Sequence, residues 1–126
     1  EQDGESAFRD LEHQSVTRAS KGRSAIISLG GGAVAHERNW DVIESSGVSL
    51  CIRSSVDTIF ARVERKRDER PLLAGLTDAE CVAKIKEMLE EREPFYSRAN
   101  VFVTSDEEKS PEDTAVEALG LLKSLS

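Results

Sequence analysis

The stretch Ala25-Ile26-Ile27-Ser28-Leu29-Gly30-Gly31-Gly32 is an apolar run that stops in three consecutive glycines. A run of this length rich in β-branched residues reads as a strand buried on both faces, the habit of a parallel sheet covered by helices. Glycines at its carboxyl end remove every Cβ, so another molecule can approach bare peptide groups. In open α/β sheets that edge is where ligands bind. A flexible strand-to-helix turn explains the same glycines, and the pattern alone leaves both readings open.

The rest of the chain alternates in the same style. Residues 5–21 read as a helix, with Phe8, Leu11 and Ser15 on one stripe, Val16 and Ala19 close to it, and Gly22 as its end. Residues 39–46 read as a second helix with Trp40 and Ile43 at helical spacing and Gly47 in a left-handed cap. Residues 48–53 and 100–103 are the next apolar strands. Between them, Ser54 or Ser55 caps a helix whose inward stripe is Val56, Ile59, Phe60 and Val63. Thr77-Asp78-Ala79-Glu80 has the capping-box pattern and opens a long helix. Ser110-Pro111-Glu112-Asp113 opens a last one with cap, proline and acidic first turn in order. Strands alternating with helices place the chain in the α/β class with a parallel sheet, and 126 residues suit one domain around one core.

A net charge of −7 argues against a nucleic-acid partner, though a local arginine cluster can still draw an anionic small substrate into a cleft. Cys51 and Cys81 have no metal-ligand spacing and read as reduced core thiols. No apolar run approaches the length of a membrane span and no charged-then-apolar leader opens the chain, so a cytoplasmic or organellar-stroma protein is expected.

Three groups of charged residues carry chemistry. Arg92 falls on the stripe formed by Val82, Ile85, Leu89 and Tyr96, so a guanidinium that cannot lose its proton faces inward and needs an anionic partner. An internal salt bridge, snorkelling at the core edge and a bound ligand all satisfy that need. Arg9 and Glu12 lie three residues apart, in the order less favourable to helix stability. Glu12 can hold Arg9 in one orientation and leave its other edge to an incoming carboxylate, or the two can form a solvated surface pair. Residues 62–70 form a basic segment that reads as a lid over phosphates or as an ordinary helix end. In Arg70-Pro71-Leu72-Leu73, the proline restricts Arg70 to an extended backbone.

Together these pieces resemble shikimate kinase: Gly4-Glu5 with Phe8-Arg9 and Glu12, then Ser28-Leu29-Gly30-Gly31-Gly32, then Arg70-Pro71-Leu72-Leu73, then Arg92 with Pro94 and Tyr96. The resemblance implies a P-loop, nucleoside-monophosphate-kinase-like fold, three-layer α/β/α with a parallel sheet. It implies an enzyme that moves the γ-phosphoryl group of ATP, with Mg2+, to the 3-hydroxyl of shikimate in aromatic amino-acid biosynthesis. On that resemblance Arg9 and Arg92 would clamp the shikimate carboxylate and Glu12 would orient Arg9, on a substrate-binding helix of about residues 4–21. Gly30, Gly31 and Gly32 would floor the pocket, and Ser28 would help hold magnesium through water. Arg70 would come to the transferring phosphate from a lid of about residues 65–78. Arg62 would stack on adenine, and adenine would touch the loop just before Pro111. The segment between these two arginines is about one residue longer than is common in the family. A monomer is expected for the intact enzyme.

The chain also departs from the family's pattern in the motifs it lacks. It contains no G-x-x-x-x-G-K-[ST] phosphate loop, and the following Asp-containing motif is also absent. It therefore resembles roughly the carboxyl-terminal three quarters of such a domain and is expected to be inactive alone. In the family's strand order, 2-3-1-4-5, the absent first strand lies between residues 25–29 and 48–53, each of which would expose an apolar edge. The expectation is that the segment precedes this chain; direct pairing of the two strands, or exchange between two chains, is the alternative. Two other functions fit the residues: a non-catalytic kinase-like binding or regulatory protein, and a related small-molecule kinase such as a gluconate kinase.

Overall fold

Two short strands run parallel, β1 (Leu50–Arg53) beside β2 (Val101–Thr104), in register from Leu50 opposite Val101 to Arg53 opposite Thr104. The computed structural model that shows this describes residues 2–22, 25–66, 69–70 and 73–125. The helices are α1 (Gln2–Ala19), α2 (Gly31–Val34), α3 (Glu37–Ser46), α4 (Val56–Glu64), α5 (Asp78–Tyr96) and α6 (Pro111–Ser124). The class is α/β with a parallel sheet, as expected. The chain gathers into two compact units, Glu1–Ser49 with Pro94–Asn100, and Leu50–Glu93 with Val101–Ser126.

In the first unit α1 packs on α2 and α3. Val16, Ala33 and Trp40 are buried, and the Trp40 Nε1–H donates to the Val34 carbonyl at 2.6 Å. Arg98 lies over the Trp40 ring, 5.3 Å from its centroid, and pairs with Glu37 and Glu44. Those carboxylates, with Glu37 first, hold the Arg98 guanidinium's pKa above its ordinary value. The expected inward stripe of α1 is corrected: Phe8 is 56% exposed and Leu11 61%, and Ser15 is also exposed. The face that packs carries Arg9, Glu12, His13 and Val16, because its polar groups find partners on α2 and α3.

The expected strand over residues 25–29 is also corrected. That segment forms no strand, and Ile26 is fully exposed. A strand exists only by pairing its backbone with a neighbour, and among the described residues only β1 and β2 pair. The glycines pass instead into the single turn of α2, with Gly30 as its N-cap. Gly47 has φ 173°, extended rather than left-handed, so its expected cap is not formed.

In the second unit the core is Val63, Leu73, Cys81 and Ile85, with Val56, Ile59, Phe60, Leu76 and Leu89 packed against it. The inward stripe expected for α4 is thus the observed one, and Ser55 caps that helix by accepting from the Thr58 N–H. The capping box closes reciprocally: the Thr77 N–H donates to Glu80 Oε1 at 2.9 Å, and the Glu80 N–H to Thr77 Oγ1 at 3.2 Å. Ser110 caps α6 by accepting from the Asp113 N–H. Both strands begin later than their apolar runs suggest. Cys81 is fully buried and Cys51 half-buried, and neither forms a disulfide. Burial pushes the Cys51 thiol pKa up, against the opposing pull of Arg53.

Candidate functional site

The first unit brings Arg9, Glu12 and Gly32 together. Arg9 Nη1 donates to both carboxylate oxygens of Glu12, at 3.0 and 3.2 Å, and the Glu12 side chain is only 16% exposed. A Cβ on Gly32 would stand 2.6 Å from Arg9 Nη1 and 3.3 Å from Cζ and Nη2. The guanidinium therefore rests on bare backbone, which only glycine provides. Arg9 Nε is buried without a hydrogen-bond partner; the Glu5 carboxylate is 3.9 Å away. Nη2 forms no hydrogen bond among the described residues. A planar cation with one nitrogen held by a fixed carboxylate and another unoccupied is suited to a second carboxylate.

The other expected residues of the glycine segment are less enclosed. A Cβ on Gly30 would meet nothing within 4 Å, and Ser28 lies in the exposed segment ahead of it.

In the second unit Arg92 is half-buried on α5 and has no side-chain hydrogen bond or ion pair among the described residues. Its neighbour Glu93 pairs with Arg53 at 2.9 Å instead. An internal salt bridge for Arg92 is therefore not formed among the described residues.

The same unit holds an open cleft of about 850 Å³ whose lining includes Arg62, residues 105–110 and Pro111. Arg62 Nε donates to Glu107 Oε1 at 3.0 Å and Nη2 to the Asp106 carbonyl at 3.0 Å, so the arginine is fixed to the loop across the cleft. Lys109 Nζ pins the far end of that loop, donating to the Thr104 carbonyl at 2.8 Å and pairing with Glu117. Arg70 does not line this cleft. It is exposed, and its carbonyl accepts from the N–H groups of Leu73 and Ala74, both at 2.9 Å. Pro71 and Leu72 of its motif, and Arg67 and Asp68 of the lid, lie outside the described residues. Leu73, within the expected lid, is buried in the core, and Gly75 takes φ 78° in the turn that follows.

A family model described as shikimate kinase matches residues 1–123. The chain belongs to the shikimate kinase family. Among its relatives, a shikimate kinase of Ruegeria pomeroyi is 37% identical over 98% of this chain and 63% of its own length. One of Chlorobaculum parvum is 34% identical over 86% of this chain and 60% of its own. The solved structure of a shikimate kinase from Bacteroides thetaiotaomicron superposes with a TM-score of 0.84 at 29% identity, covering 97% of this chain and 69% of that one. The fold is thus that of a shikimate kinase, a P-loop kinase fold. The chain spans about 60% of the length of the first relatives it matches.

For magnesium, which the family implies, this chain offers the Ser28 hydroxyl on an exposed segment. Among the described residues no group of three or more His, Cys, Asp or Glu side chains could hold a metal ion. No described helix is long and apolar enough to cross a membrane.

Reading the sequence did not single out three residues that the geometry brings to these places. His13 Nδ1 lies 2.7 Å from Asn39 Oδ1, and Asn39 Nδ2 donates to the Ala33 carbonyl at 2.8 Å. Glu107 is the third, as the partner of Arg62. For His13 a signal was present: it follows Arg9 by four and so shares its helix face. Asn39 and Glu107 carry no such pattern, because their partners are distant in sequence.

Proposed function

We propose that this protein is a shikimate kinase, in which the γ-phosphoryl group of ATP passes to the 3-hydroxyl of shikimate. The observation that carries the reading is the Arg9 guanidinium, seated on Gly32 and held through Nη1 by Glu12, with Nη2 unoccupied. That geometry suits a carboxylate, the one charged group of shikimate, and Gly30 to Gly32 present backbone to a ring beside it. Arg92, half-buried without a partner among the described residues, is read by the same chemistry as a ligand for the substrate carboxylate.

The cleft that holds Arg62 and Pro111 is read as the adenine site, with Arg62 on the base face. Arg70 is assigned to the transferring phosphate, where a cation offsets charge spread over the equatorial oxygens. Magnesium accompanies ATP, with Ser28 as a water-mediated contact. Residues 1–126 are read as a single shikimate-kinase-like domain with a lid of about 65–78, acting in the cytoplasm, or the plastid stroma in a plant. The intact enzyme is read as a monomer.

The test is calorimetric titration with shikimate, gluconate, and ATP with magnesium, on the wild type and on Arg9→Ala. Shikimate binding that Arg9→Ala removes, with gluconate silent, is the expected result. Unchanged shikimate affinity in the alanine variant sinks the assignment. Gluconate binding with shikimate silent points to a related small-molecule kinase instead.

A further inference from the structure

Asn39 is 1% exposed, and a buried amide must have both ends satisfied. Its Nδ2 donates to the Ala33 carbonyl of α2, which fixes the amide's orientation and leaves Oδ1 as the acceptor. His13 Nδ1, 2.7 Å from that oxygen, must therefore carry the proton. One side chain thus ties α1 at His13 to α2 at Ala33. Arg9 is one helical turn before His13, and Gly32 is next to Ala33. The clasp consequently spans the same two elements as the contact between the Arg9 guanidinium and Gly32.

We infer that His13 and Asn39 are positioning residues for Arg9: their hydrogen bond sets how closely α1 approaches the glycine turn, and so where the guanidinium lies. The inference rests on the reading of Arg9 as a carboxylate ligand only for its functional consequence. Its geometric content stands apart.

The experiment uses nitrogen-15 NMR on the full chain, with hydrogen exchange of the Arg9 Nε–H and of the β2 amides. Wild type is expected to show His13 protonated at Nδ1 and a slowly exchanging Arg9 Nε–H. Asn39→Ala and His13→Ala each leave a buried polar group unsatisfied and are expected to speed that exchange about tenfold, with β2 amides unchanged. His13→Gln, which keeps a donor, is expected to restore protection. Shikimate affinity is expected to fall about tenfold in the two alanine variants, with affinity for ATP unaltered. Should Asn39→Ala fail to fold, His13→Ala, at a half-buried position, decides the question. Arg9 exchange that is unchanged in the alanine variants, or a proton on Nε2 rather than Nδ1, overturns the inference. A wild type that binds no shikimate overturns the functional reading instead, while the exchange measurement still decides the positioning role.

Discussion

Arg9 and Gly32 are in contact that no side chain at position 32 could share, since a Cβ there would lie 2.6 Å from Nη1. The atom in the way is the far end of a flexible side chain, so it can move aside. Gly32 also lies in α2, where alanine is the better helix former. Gly32→Ala should therefore leave the melting temperature within a few degrees of wild type and displace the guanidinium. Loss of one charge-assisted contact corresponds to shikimate affinity weaker by about 10- to 100-fold. Calorimetry and a thermal melt on the same sample check both halves; a large fall in melting temperature with intact affinity contradicts the expectation.

Arg92 tests the same chemistry on α5. Because it has no carboxylate partner among the described residues, Arg92→Ala should not destabilise the fold as breaking a buried ion pair would, by about 3–5 kcal/mol. It should remove most shikimate binding. Arg92→Lys should not restore it, because a point-charge ammonium lacks the guanidinium fork. A lysine variant with near-normal affinity shows that charge alone suffices and that the fork has no role.

What the sequence made legible was local chemistry. Ser55, the Thr77 and Glu80 box and Ser110 all cap where their patterns indicate, because a cap depends on residues three apart. The α4 stripe was equally legible, since its apolar spacing has one solution. The α1 stripe was not. Phe8 and Leu11 are the largest apolar residues of that helix and stay exposed, while its packed face sets Val16 beside Arg9 and His13, whose partners lie on α2 and α3. Residues 25–29 failed for a related reason, because composition can suggest a strand but only a neighbouring strand makes one. In the candidate site the Arg9 and Glu12 pair was readable from spacing, whereas Asn39 and Glu107 meet their partners across 26 and 45 positions.

Arg62 and Glu107 lead to a prediction about binding rather than stability. The side chains are 42% and 59% exposed, and such pairs contribute at most about 1 kcal/mol in water. Glu107→Gln should therefore leave thermal stability nearly unchanged. Arg62→Ala should weaken ADP binding by about 5- to 30-fold if its guanidinium lies on the base, the range from an exposed to a desolvated cation over an aromatic face. A double-mutant cycle on ADP affinity separates the two residues: coupling shows that Glu107 acts through Arg62, and simple additivity shows that it does not.

Glu80 gives a pH dependence whose sign is fixed. The Thr77 N–H, and secondarily the Thr77 hydroxyl, hold the Glu80 carboxyl below its ordinary value of 4.5. In the unfolded chain these contacts are absent, so on acidification the unfolded state takes up the proton first. The stabilisation from the capping box is therefore complete above pH 4.5 and is lost as pH falls through the lower value of the folded state. Glu80→Gln retains an oxygen to accept from Thr77 and removes the titration. The melting temperatures of wild type and Glu80→Gln should differ most near neutral pH and converge as the carboxyl protonates. A difference that stays constant from neutral to acidic pH shows that the Glu80 charge contributes nothing to the start of α5.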